Sequence, residues 1–218
     1  MDKVRLVYEQ TGRARWISHL DAMRTLQRIL LRAQVPIRYS EGFNPYALIS
    51  VLLPLSVGTE SLCQIADIRL RQDVDLAALP EKLTAVSPEG LRFTAAYEDG
   101  EKPVALKWLE VRGLWEYDNA DPAETAAALT ELFSAPVQVR RRTKRGEGTL
   151  VITEHIRSVC FAPAAEGVEV QCTLSCAEPV VNPDLLTAAV EQNAPSLKPD
   201  AAHFCRLALY KADGTAFH

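Results

Sequence analysis

His19 stands one residue after Ser18 at the head of a predicted helix, close in sequence to Arg13 and Arg15. A histidine so placed can donate to a phosphate or accept a proton near neutral pH. The plainer alternative makes His19 a polar residue that fills the first helical turn.

Arginines crowd the same stretch. Arg5, Arg13, Arg15, Arg24, Arg28, Arg32 and Arg38 all precede Gly42, with almost no lysine among them. Arginine suits bidentate phosphate binding and stacking on bases better than lysine does. Tyr39, Phe43 and Tyr46 add aromatic faces, with Asn44 between them as a polar reader, although core packing is the simpler expectation for Phe43 alone. A second basic run, Arg140, Arg141, Arg142, Lys144 and Arg145, leads into Gly146. A charged sheet edge that blocks aggregation needs one or two lysines, not such a run. Both clusters point to contact with nucleic acid or another polyanion.

Other chemistries find little support. Cys172 and Cys176 share strand parity with Val168 and Val170, which makes them small buried apolar groups. Two cysteines alone cannot hold an iron–sulfur cluster, and no Cys/His grouping has zinc spacing. Glycine-rich phosphate loops and a Gly-x-Ser-x-Gly elbow are missing from the sequence, so no cofactor is expected in this chain.

The elements that would position these residues follow from periodicity. Val4, Leu6 and Tyr8 alternate as a strand. Ser18, with Asp21 three residues on, caps a helix whose apolar face is Leu20, Met23, Leu26, Leu30 and Ala33. Arg24, Arg28 and Arg32 form a basic stripe on another face, and Pro36 ends the helix. Extended segments at 37–40 and 48–55 flank a turn at 42–45. A strand through Ala66, Ile68 and Leu70, a helix at 75–86 and a strand through Leu91 and Phe93 complete a βαββαβ order. The polar segment 99–103 is a domain boundary. Beyond it come a strand at 108–117, a helix capped by Asp121, a basic hairpin at 137–153, a second hairpin around Gly167, a helix from Asn182 and a last strand at 204–210. The reading is α+β: two tandem ferredoxin-like domains, 1–100 and 104–218, the second with an inserted basic hairpin.

Composition agrees with a globular protein of that kind. Hydrophobic residues make up 48% and charged residues 24%, enough for a core in each half. A net charge of −4 argues against indiscriminate coating of nucleic acid but leaves room for directed basic faces. Five cysteines without framework spacing, no bilayer-length apolar run and no signal pattern lead us to expect a cytoplasmic protein without membrane contact.

Several motifs carry a resemblance to a known family. Thr11-Gly12-Arg13-x-Arg15, Ile17-Ser18-His19-Leu20-Asp21-x-Met23-Arg24, Tyr39-Ser40-x-Gly42-Phe43-Asn44-Pro45 and Pro54-Leu55-x-Val57-Gly58 resemble the radical SAM-linked protein family. Arg142-Thr143-Lys144-Arg145-Gly146 and Arg206-Leu207-Ala208-Leu209 are similar to it as well. The resemblance implies a radical SAM protein as partner, which would carry the iron–sulfur cluster and S-adenosylmethionine. Family members usually continue the turn with His-Pro-Lys, whereas Tyr46-Ala47-Leu48 follow here, a change that a binding role survives more easily than a catalytic one. The expected function is therefore that of a non-catalytic RNA-binding partner, engaging structured tRNA or rRNA during its modification or processing. Tandem ferredoxin-like domains with a histidine near the first helix are also similar in layout to the metal-independent endoribonucleases that process CRISPR transcripts; that resemblance implies His19 as general base, with Tyr39 or Lys144 stabilising the phosphorane charge. An adaptor that meets an acidic protein surface is the other alternative. Oligomeric state stays open.

Overall fold

Alternation and capping produce two compact units, Met1–Pro103 and Val104–Phe217. A computed structural model describes residues 2–98, 101–143 and 146–217. The fold is α+β, with antiparallel strand pairing and four α-helices among the described residues. None of the helices is long and apolar enough to cross a membrane.

The first unit runs β1 (Lys3–Gln10), α1 (His19–Arg32), β2 (Ile49–Leu52), β3 (Glu60–Arg69), α2 (Leu79–Thr84) and β4 (Leu91–Glu98). Its strands lie in the order β4-β1-β3-β2. Val4, Leu6 and Tyr8 of β1 alternate into one cluster with Ile68 and Phe93, and Leu26, Ile29, Leu30, Leu79 and Leu83 from both helices join it. Both helices therefore cover the same sheet face. The other face carries Arg5 and Asp67, set directly opposite each other in register.

Local chemistry starts and stops α1. The Ser18 hydroxyl accepts from the Asp21 N–H at 3.2 Å and donates to the Asp21 carboxylate at 2.7 Å. The hydrogen bond from the Ser18 hydroxyl, and after it that from Arg24, hold the Asp21 carboxyl below its ordinary value. The helix stops before Pro36 is reached. Gln34 takes a left-handed φ of 52°, its N–H donates to the Leu31 carbonyl at 3.0 Å, and the Val35 N–H donates to the Leu30 carbonyl at 2.9 Å. That is a Schellman closure, with the proline placed just beyond it. Segment 37–40 forms only isolated bridges, Ile37 to Leu70 and Tyr39 to Ala47, rather than a strand.

The second unit runs β5 (Leu106–Glu116), α3 (Pro122–Ser134), β6 (Gln138–Thr143), β7 (Gly146–Val151), β8 (Ile156–Ala164), β9 (Gly167–Ser175), α4 (Asp184–Asn193) and β10 (Ala201–Lys211). The order β10-β5-β9-β8 repeats that of the first unit, while β6 and β7 make a separate two-stranded sheet. Val168, Val170, Cys172 and Leu174 are all buried, as their parity requires. Gly167 closes the turn at φ 145°, where a Cβ would lie 2.0 Å from the Trp115 carbonyl oxygen. Asp121 caps α3 by accepting from the N–H groups of Ala123 and Glu124, each at 2.9 Å. We expect Asp121→Ala to cost about 1 kcal/mol in urea unfolding, because two helix-end donors lose their acceptor.

Candidate nucleic-acid interface

The stretch between β1 and β2 divides its arginines between structure and surface. After β1 the chain makes a 3-10 turn, Gly12–Trp16, anchored by the Thr11 N–H on the Gly90 carbonyl at 2.9 Å. Arg15 is half-buried there, 3.5 Å from Glu60, and its guanidinium lies 5.0 Å from the Trp16 ring centre. Arg13 is exposed and makes no ion pair among the described residues. On α1, Arg24, Arg28 and Arg32 are exposed one turn apart. Arg24 bonds Asp21 at 3.1 Å, whereas Arg28 and Arg32 have no salt bridge among the described residues.

Two residues of this stretch correct the sequence reading. Arg5 does not belong to the surface cluster at all. It is fully buried, its Nε 2.7 Å and Nη2 3.1 Å from the two oxygens of Asp67, while Lys3 approaches the same carboxylate at 3.0 Å. Strand alternation places it on the face away from the helices, and the directly opposed aspartate compensates its charge. Leu20 does not join the apolar face of α1 either. It is 66% exposed, whereas Ala22 borders a recess with Tyr8 and Val51, and Leu26, Ile29 and Leu30 are buried.

The turn after α1 is braced at its base. The Ser40 N–H donates to the Tyr46 carbonyl at 2.9 Å, and the Tyr46 N–H donates to the Ser40 hydroxyl at 3.0 Å. Gly42, at φ 122°, turns the chain between them. Phe43 is wholly exposed at the tip, so core packing is not its role. Asn44 and Tyr46 are exposed as well, whereas Tyr39 is half-buried with the Arg71 guanidinium 5.7 Å from its ring centre. A large apolar ring held in water on a braced turn is the strongest surface anomaly of this unit, since burying it would have been favourable.

His19 is exposed at the first position of α1, and its side chain makes no hydrogen bond among the described residues. It borders a small recess with Tyr8, Gln10 and Pro54, and no carboxylate orients its ring. Lys144 and Arg145 lie outside the described residues.

In the second unit, strand parity sorts the basic run. Arg140 and Arg142 are exposed, while Arg141 follows buried Val137 and Val139 and donates to the Val180 carbonyl at 3.2 Å. The hairpin is tied to α4. Gln192 accepts from the Arg140 N–H at 2.7 Å and donates to its carbonyl at 3.2 Å, and Asn193 donates to the Gln138 carbonyl at 2.7 Å. These side-chain amides occupy the free edge of β6, so the arginines are not needed to guard it.

Burial pushes the Cys172 thiol up to about 12 and the Cys176 thiol up to about 11, which keeps both protonated and unreactive at neutral pH. No group of three His, Cys, Asp or Glu suited to a metal occurs among the described residues.

Fold and surface together define an α+β protein of two units with the same strand order and with arginines and aromatic rings left in solvent. The chain belongs to the bacterial family described as "Uncharacterized protein conserved in bacteria (DUF2344)", whose profile matches residues 3–194. No curated protein matches the chain. Among solved structures, one described as "Crystal Structure of an Unknown Protein from Galdieria sulphuraria" aligns over 97% of this chain and 98% of its own, at 9% identity and a TM-score of 0.28. A likeness that low carries no argument about fold or function.

Proposed function

We propose that this protein is a cytoplasmic, non-catalytic RNA-binding partner of a radical SAM enzyme, built from two ferredoxin-like domains. The fold reading is supported by the fourth-first-third-second strand order of each sheet and by the two helices packed on one face of the first. The partner reading is supported by the motif resemblance already described. That enzyme would bring the iron–sulfur cluster and S-adenosylmethionine.

One observation carries the RNA reading: Phe43 stands fully exposed on a braced turn, in the same unit as exposed arginines without ion pairs. Cations for phosphates and rings for bases are the two components of a surface that grips unpaired RNA. An adaptor for an acidic protein would use the cations but has less need of the ring. The ribonuclease reading loses ground because His19 has no orienting partner among the described residues.

Fluorescence anisotropy with tRNA and rRNA fragments tests the proposal. If roughly six phosphates are contacted, affinity should fall about a thousandfold or more between 50 and 200 mM salt. Absent or salt-insensitive binding would overturn it. Phe43→Ala should leave the thermal midpoint unchanged and weaken RNA binding by about five- to tenfold, the loss of one base stack. Retention of the radical SAM protein after nuclease treatment, with RNA affinity at background, would favour the adaptor.

A further inference from the structure

The second unit carries a cavity of about 590 Å³ on the face of its sheet that turns away from α3. Phe133 of α3 meets Phe161 of β8, and Trp115 of β5 meets the same ring, with centres 5.3 and 5.7 Å apart. Alternation sends Glu110 of β5 and Ser158 of β8 to the opposite face. Glu110, Thr173 and Ser158 stand in one row there, paired in register across β5, β9 and β8.

Two opposite charges border this cavity without meeting. Glu110 and Arg157 form no ion pair, with each other or with any other group among the described residues. The Glu110 carboxylate accepts from the Tyr210 hydroxyl at 2.6 Å and from the Gln171 side-chain amide at 3.2 Å. Both donors are neutral, so they orient the carboxylate and leave its charge uncompensated. Arg157 falls where the register of β8 with β9 shifts between Ile156 and Ser158, and such a bulge re-aims a side chain. Its guanidinium lies 5.9 Å from the centre of the Trp108 ring on β5. Gly214 leaves it room, since a Cβ there would stand 3.3 Å from Nη1. The hydroxyls of Ser158 and Thr173 make no hydrogen bond among the described residues.

A ligand with only an anionic group would meet Arg157 but face the charge of Glu110, and a purely cationic one would face Arg157. A molecule that carries both charges satisfies the two at once. We propose that this cavity binds a free α-amino acid, its carboxylate on the Arg157 guanidinium and its ammonium on Glu110. A guanidinium matches a carboxylate through two parallel hydrogen bonds. Thr173, between Glu110 and Ser158 in the row, offers its hydroxyl to either end of the ligand. The volume lies within the range of small-molecule sites, about 300–1,000 Å³, and leaves space for a side chain. The proposal goes beyond the RNA reading and does not depend on it.

The common L-amino acids, titrated singly into the wild-type protein while the amide resonances of Ser158, Gln171 and Thr173 are followed, provide the test. Saturating shifts are expected with at least one of them. The N-acetyl derivative of that amino acid lacks the ammonium, and the carboxamide lacks the carboxylate. Each should bind at least about tenfold more weakly, the loss of a hydrogen-bonded charge. Arg157→Gln, at an exposed position, should reproduce the loss seen with the carboxamide and leave the thermal midpoint unchanged. Glu110→Gln keeps an acceptor for Tyr210 and should reproduce the loss seen with the N-acetyl derivative. Should Glu110→Gln fail to fold, the N-acetyl derivative still reports on the same contact in the wild-type protein. Silence with every amino acid overturns the proposal. An N-acetyl derivative that binds as well as its parent overturns it in favour of a simple anion, and a carboxamide that does so overturns it in favour of a cation.

Discussion

Asp67→Ala is expected to destabilise the first unit by about 3–5 kcal/mol, because it removes the carboxylate to which two nitrogens of a fully buried guanidinium donate. Arg5 sits in the middle of β1, hydrogen-bonded through two nitrogens to a residue directly opposite on β3. The alternative expectation, a loss below about 1 kcal/mol, belongs to exposed pairs such as Lys198 with Glu191. Urea unfolding of the two variants side by side separates the cases. Replacing both members together, Arg5→Met with Asp67→Leu, should recover much of the loss, since no buried charge then remains. A double variant as unstable as the single one would show that the pair is not the cause.

The pH dependence follows from the same pair. Burial alone would raise the Asp67 carboxyl, but hydrogen bonds from Arg5 and Lys3 outweigh it and hold the group below the ordinary 3.8. A carboxyl depressed on folding stabilises fully above its unfolded value and progressively loses that contribution as pH falls through the folded one. The stability gap between wild type and Asp67→Asn should therefore be constant near neutrality and shrink below about pH 4. A gap that widens on acidification would contradict the sign.

The second large effect is on binding. Reversing Arg24, Arg28 and Arg32 together to glutamate should weaken RNA binding by at least about a hundredfold, given that a hydrogen bond to a charged group contributes about 1.5–3 kcal/mol. Arg28 and Arg32 should account for most of it, because Arg24 must first leave Asp21. The slope of affinity against salt should flatten by about one per lost phosphate contact. Lys198→Glu, a single charge reversal in the second unit, is compared with Arg28→Glu alone and should change affinity by less than about threefold. Equal losses in the two proteins would reduce the α1 stripe to a contribution to net charge. Circular dichroism of the triple variant excludes unfolding, which these exposed positions do not provoke.

Much of the architecture is legible in the chain because it is written locally. Alternation at Val4, Leu6 and Tyr8, the Ser18 cap and the parity of Val168 through Leu174 depend on neighbours a few residues away, and each appears in the structure. The α+β class follows from their succession. The exposure of Arg28 and Arg32 was readable for the same reason, since the core claims the opposite side of α1.

Other residues changed meaning in three dimensions. Arg5 counts as one more surface cation in the sequence, yet Asp67 lies sixty-two positions away and only sheet register joins them. Leu20 has helical spacing to Met23, but the face that packs on the sheet runs through Leu26, Ile29 and Leu30 and leaves it in solvent. Phe43 looks like core material until its turn is seen to be closed below it by Ser40 and Tyr46.

The sequence by itself determined the kinds of element, their order and the supply of arginines and rings in the first third of the chain. Tertiary structure alone decided which of those arginines is free to meet an anion and which is spent on a buried partner. Periodicity is a property of short segments, whereas desolvation and charge compensation depend on what the fold brings within a few ångströms.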